Sequence, residues 1–298
     1  MIDKEARQKT QQHDQASNLE DLEQKLASFD DSILPQLPEH ERIQAHVKQR
    51  QHKMKNIGLS LGIALGLLAG VYIYNPTYQE FEIQTLKGQH QDICLSDGSC
   101  IYLNTNTKLL VSQRLRSREF ELIQGEASFH VAHHTSALLK PFERPFKVWA
   151  GKVEILDIGT VFNVFKHNAT DVTVAVEQGE VAVKIRDHDE TTEYLHQGDA
   201  IRNVKHLLAH VKPMPIEDIS AWRKDDLVFN QISIADAIEQ FQRYANFEVQ
   251  TTEPDLLETQ ISGRFKAQNH HAFMQVLGLI AEVNVEKIAE DRWKIEKN

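Results

Sequence analysis

The stretch FKVWAGKVEILDIGTVFNVF, residues 146–165, alternates apolar and polar side chains in short runs and pauses at Ala150-Gly151. A period of two marks half-buried β-strands, whereas a helix would repeat every three or four residues. Working outward, the same pattern recurs in EFEIQT, DICL, CIYL, KLLV, FELI and SFHVA before it, and in VTVAV and VAVKI after it. Turn signals separate the runs at Ser96-Asp97-Gly98, Gln124-Gly125, Gln178-Gly179 and Gln197-Gly198. No amphipathic helical stretch lies between them to serve as a parallel crossover. An all-β domain over residues 80–212 is expected, and a sandwich, a curved sheet or a solenoid-like stack all satisfy the spacing.

Cys94 and Cys100 are the two cysteines of the chain and flank the Ser96-Asp97-Gly98 turn. A three-residue loop with Gly98 left-handed would pair Leu95 with Ser99 and set Cys94 opposite Cys100, where a disulfide is possible. A two-residue loop would leave both thiols free and out of register.

The pattern changes at Ser220-Ala221-Trp222-Arg223. Leu227–Phe229 reads as a strand, Ser233 as a helix N-cap, and Ile234, Ile238, Phe241 and Tyr244 keep one helical face. Strands at 247–250 and 260–265, a helix at 272–281 and strands at 283–288 and 293–295 complete a β-α-β-β-α-β-β order. Residues 220–298 are therefore expected to form a small α+β domain.

Toward the N-terminus, IGLSLGIALGLLAGVYIY (57–74) is uncharged and apolar all round. Eighteen such residues meet the length criterion for a single transmembrane helix, placed at 56–75. Gly58, Gly62, Gly66 and Gly70 recur every fourth residue and form one stripe for close packing, by self-association or against another membrane protein such as an intramembrane protease. Lys48, Arg50, Lys53 and Lys55 precede the run, and the next basic residue is Lys87, so the positive-inside rule predicts a cytoplasmic N-terminus. Residues 1–55 read as a short helical cytoplasmic segment. In it Leu19, Leu22, Leu26 and Phe29 form a stripe, and Ile43 and Val47 share a face beyond Pro35 and Pro38. Such faces suit a partner groove.

Several function classes fall away. With 33 basic and 43 acidic residues the net charge is −10, which disfavours direct nucleic-acid binding. No HExxH, Walker A, GxSxG or GxGxxG occurs, so no enzyme and no cofactor is expected. His130, His133 and His134 alternate across a strand, which spoils a compact ligand set. His270-His271 is an isolated second pair, and no metal is expected.

The runs LSDGSCIYLNTNTKL (95–109), RLRSREFELIQGEASFHVAH (114–133), FKVWAGKVEILDIGTVFNV (146–164) and VTVAVEQGEVAVKI (172–185) together resemble the periplasmic domain of FecR-type proteins. The order of GEASFHVAH, GTVFNV and VEQGEVAV follows that family's pattern. The resemblance implies a single-pass inner-membrane sensor and anti-sigma factor, with residues 1–55 acting on an extracytoplasmic-function sigma factor. It also implies that the periplasmic part contacts the signalling domain of a TonB-dependent outer-membrane receptor, in iron-source sensing. The C-terminal pattern resembles the small secretin-and-receptor-tail domain of the same family. The family's cytoplasmic domains usually carry a tryptophan-containing pattern, and residues 1–55 contain no Trp. The competing expectation is a membrane-anchored envelope scaffold whose C-terminal module docks into a secretin-like assembly.

Overall fold

The computed structural model describes Gln24 and residues 61–133, 143–186, 192–205 and 207–298. The chain divides into two compact units, Met1–Gly70 and Val71–Asn298. The stripe Leu19, Leu22, Leu26, Phe29, Ile43 and Val47 lies outside the described residues, as does Gly58.

Residues 61–74 form helix α1, and here the single transmembrane helix expected at 56–75 is overturned. Among the described residues no helix is long and apolar enough to cross a membrane. Residues 57–60 of the apolar run lie outside the described residues. What dominates the described chain is β structure.

Thirteen strands make up the first part of the second unit. They begin with β1 (Thr77–Gln84), β2 (Gln91–Cys94), β3 (Cys100–Leu103), β4 (Lys108–Arg114) and β5 (Arg118–His130). Next come β6 (Phe146–Ala150), β7 (Val153–Asp157), β8 (Val161–Lys166) and β9 (Asp171–Gln178). β10 (Glu180–Ile185), β11 (Glu193–His196), β12 (Ala200–Val204) and β13 (Leu207–His210) complete the set.

The long strand β5 decides the topology. Its first half lies between β4 and β6, and its second half between β3 and β8. Two sheets thus share one strand, in the orders β1-β4-β5-β6-β7-β10-β11 and β2-β3-β5-β8-β9-β12-β13. The change of partners happens at Gly125, whose φ is 86°. A Cβ there would lie 2.7 Å from the Asn106 carbonyl oxygen, so only glycine lets β4 approach this closely. The Gln124-Gly125 turn expected from sequence is therefore a bend inside one strand.

Apolar side chains from both sheets enter one core, including Leu109, Val111 and Ile155 from the first and Ile101, Val164 and Val174 from the second. Phe120, Phe129, Phe146 and Phe162 are fully buried in it, with Phe120 stacked on Phe146 at 4.2 Å and Phe129 on Phe162 at 5.1 Å. Burial of each ring contributes about 1.5–3 kcal/mol. The architecture is a sandwich of two seven-stranded sheets with a strand in common.

A short helix α2 (Ile216–Ile219) packs on β9 and β12 through Ile219, Ala175 and Ala200. A 3-10 turn (Ala221–Lys224) follows, and then the C-terminal module: β14 (Asp226–Ser233), α3 (Ile234–Gln242), β15 (Glu248–Thr251), β16 (Gln260–Lys266), α4 (His270–Ile280), β17 (Val283–Ala289) and β18 (Arg292–Lys297). β14 pairs with β16, and β18 lies between β15 and β17 in a separate sheet. The Ser233 hydroxyl accepts the Asp236 N–H at 3.0 Å, and the Asn269 side chain accepts the Ala272 N–H at 3.0 Å, so both longer helices start on a side-chain cap. Phe229, Phe241, Phe265 and Phe273 cluster between these elements.

Candidate functional site

Where the sandwich meets the C-terminal module, a charged pair is buried. Glu126 on β5 is 7% exposed, in the midst of the apolar core strand. Arg243 stands at the C-cap of α3 and donates from both terminal nitrogens to one Glu126 carboxylate oxygen, each at 3.0 Å. Its guanidinium lies over the Phe165 ring at 4.1 Å. An isolated buried charge costs several kcal/mol, so such a pair persists only when its remaining valences are met.

They are met here. Asn104 donates to the same Glu126 oxygen at 2.8 Å, and Asn163 donates to the other at 3.0 Å. Each asparagine then reaches across the junction: the Tyr244 hydroxyl donates to Asn104 at 2.9 Å, and the Trp222 indole donates to Asn163 at 3.1 Å. The Thr105 hydroxyl adds a bond to the Arg243 carbonyl at 2.9 Å. Burial, reinforced by the Glu126 charge, raises the Tyr244 phenol above its ordinary value, so it acts as a neutral donor.

Two cavities flank the pair. One of 220 Å³ is lined by Glu126, Asn163, His167, Met214, Trp222 and Arg243 among others. The other, of 420 Å³, opens beside Lys166, His167, Glu239 and Arg243. His167 borders both; burial pushes its imidazole down to about 4, and one nitrogen lies 3.0 Å from the Thr173 hydroxyl. The junction presents a neutral histidine, a fixed cation and a fixed anion. That set can hold two bodies in one orientation, and it contains no activated nucleophile.

The residues singled out from sequence lie elsewhere. Gly62, Gly66 and Gly70 are in α1, and nothing lies within 4 Å of where a Cβ would stand on any of them. Cys94 and Cys100 face each other across β2 and β3 and are joined by a disulfide. Gly98 is left-handed at φ 89°, and the Leu95 N–H donates to the Ser99 carbonyl at 2.8 Å, which is the three-residue loop. His130 meets Arg223 at 2.9 Å, and burial followed by that charge lowers its basicity. His133 is instead wedged between Glu143 at 3.0 Å and Asp157 at 2.8 Å. Burial raises the Asp157 carboxyl, with the Thr160 hydroxyl and the His133 ring opposing it. His134 lies outside the described residues.

Residues 81–182 match the family described as FecR protein. They are similar to a FecR domain. That domain spans most of the sandwich, from β1 into β10, and contains Asn104, Glu126 and Asn163. Two crystal structures, each provisionally described as an anti-sigma factor from Parabacteroides distasonis ATCC 8503, share the fold. The 2.50 Å structure is similar at a TM-score of 0.62 and 22% identity, over 74% of this chain and 100% of its own. The 1.65 Å structure gives 0.61 and 23%, over 73% and 99%. No curated protein matches the sequence. The likeness therefore covers more of the chain than residues 81–182 alone.

Sequence reasoning missed the Glu126–Arg243 pair. One signal was present: a carboxylate inside GEASF (125–129), where a strand buried on both faces has no place for an unpaired charge.

Proposed function

We propose that this chain regulates a sigma factor, with the FecR domain and the C-terminal module acting together as its sensing body. One observation carries the reading: all of the chain in a Parabacteroides structure, itself provisionally described as an anti-sigma factor, is matched by 74% of this chain. The FecR match over residues 81–182 supports it. In this reading the chain is regulatory and not catalytic.

The sigma factor is met by the N-terminal segment through Leu19, Leu22, Leu26, Phe29, Ile43 and Val47. The sensing body receives its signal from another protein, the signalling domain of a TonB-dependent outer-membrane receptor, in iron-source sensing. Two features support an extracytoplasmic place for the sensing body. The Cys94–Cys100 disulfide suits an oxidising compartment, and the FecR resemblance implies one. Receptor engagement must favour the releasing state over the holding state, because equal affinity for both shifts nothing.

Co-purification of the full-length chain with the host's extracytoplasmic-function sigma factors tests the reading, with Leu22→Asp/Leu26→Asp beside the wild type. Capture of one sigma factor, lost in the double variant, is the expected outcome. No capture by the wild type, or equal capture by both, would overturn it.

A further inference from the structure

α4 opens on two consecutive histidines whose rings cross edge-to-face at 4.2 Å. His270 Nε2 and His271 Nδ1 are both shut off from solvent, and neither has a hydrogen-bond partner. An imidazole nitrogen buried without a partner is costly, and each ring could relieve this by rotation if it were free. Neither is. His270 is stacked on Phe247 at 4.7 Å with planes 14° apart, and His271 stands edge-on to Trp293 at 5.7 Å. Aromatic neighbours thus hold two lone-pair-bearing atoms toward one spot.

Asp291, in the turn joining β17 to β18, closes that spot. Its carboxylate lies 3.8 Å from His270 Nε2, too far for a hydrogen bond. The turn is itself anchored, since the Asp291 carbonyl accepts the Glu248 N–H at 2.8 Å. One ligating atom from each of His270, His271 and Asp291 lies within 4.8 Å of the other two. Asp291 also lines a cleft of 640 Å³, shared with Lys87, Glu290 and Arg292, so the fourth side of the cluster opens to water.

We propose that His270, His271 and Asp291 form a binding site for a divalent transition-metal ion of the Zn²⁺ class. Two imidazole nitrogens with one carboxylate oxygen select borderline ions over Mg²⁺ and Ca²⁺, which take all-oxygen sets. Ligand distances of about 2.1 Å in a tetrahedral site set donor atoms about 3.4 Å apart. The cluster must contract by roughly an ångström, within reach of the exposed Asp291 side chain. Three protein ligands leave one position for water from the cleft or for a donor atom of a bound partner. The ion would staple the start of α4 to the β17–β18 turn, two elements that no ladder hydrogen bond connects.

The test uses the full chain stripped by chelator, titrated with Zn²⁺ and, separately, Mg²⁺ by calorimetry, with Co²⁺ as a visible-absorption probe of tetrahedral coordination. One Zn²⁺ per chain, no Mg²⁺ binding and a tetrahedral Co²⁺ spectrum are expected. Asp291→Asn and His271→Gln should each weaken Zn²⁺ by at least the roughly 10–100-fold that loss of a mere supporting partner costs. An unchanged far-UV spectrum in Asp291→Asn, an exposed position, separates loss of a ligand from loss of fold. Absence of stoichiometric Zn²⁺ binding would overturn the site. So would wild-type affinity in both variants, which would place the ion on surface pairs such as His196–Glu180 or His210–Glu193.

Discussion

The FecR domain and the C-terminal module each enclose a cluster of phenylalanines, yet they hold their sheets together in different ways. In the FecR domain one bent strand belongs to both sheets, so the sheets cannot part without breaking backbone ladders on either side of β5. In the module the β14–β16 ladder and the β15–β18–β17 ladder share no strand, and α3 and α4 fill the space between. The module also leaves Leu279 on α4 82% exposed. Side-chain packing, together with the junction at Arg243, must supply there what a shared strand supplies in the sandwich. Local stability should therefore be lower in the module, and a signal that acts on it has less to undo.

The comparison can be broken first at the junction. Arg243→Met leaves Glu126 buried without its cation and should cost about 3–5 kcal/mol. Amide exchange should rise across 226–298 and much less across 81–182; equal loss in both would refute the contrast. Adding Glu126→Gln to the same chain should restore part of the stability, because the orphaned charge is then gone.

A smaller effect is expected from acid. The folded imidazole of His167 sits at about 4, and an unfolded histidine near 6.5, so between those values the unfolded chain binds the extra proton. Stability is full above about pH 6.5, declines as pH falls toward about 4, and this group adds nothing further below that. Allowing for its partial exposure, the loss is about 2–3 kcal/mol. The urea midpoint of His167→Asn followed over this pH range should show a flatter slope than the wild type.

The smallest effect belongs to a helix cap. Ser233→Ala removes the acceptor for the Asp236 N–H and should cost about 1 kcal/mol, read as faster exchange at the first turn of α3.

Local chemistry was readable from sequence wherever neighbours along the chain decided the outcome. Ser233 advertised its cap because the donor it serves is three residues away. The Ser96-Asp97-Gly98 turn offered two loop types with opposite consequences for the cysteines, and the left-handed Gly98 settles which is present. Gly125 carried an equally strong signal with a different meaning, because a positive φ can bend a strand as readily as reverse it. The 57–74 run was read from hydropathy alone, and among the described residues no helix is long and apolar enough to cross a membrane. Partners far apart in the chain left almost no trace. Arg243 finds Glu126 across 117 positions, and His270 meets Asp291 only because the chain reverses between β17 and β18. Pairings of that kind follow from topology, which alternation and turns do not specify.

The shared strand also has a consequence during synthesis. By the time His130 has been made, β3 and β4 can already lie along one edge of β5. The partner for the other edge of its second half, β8, ends at Lys166. At translation rates of about 5–20 residues per second, that edge waits roughly 2–7 s for its neighbour. During that interval Ala127 and Phe129, buried in the finished protein, belong to a strand with an open flank. The nascent chain is then most exposed to wrong pairing, well before any stability of the completed sandwich can protect it.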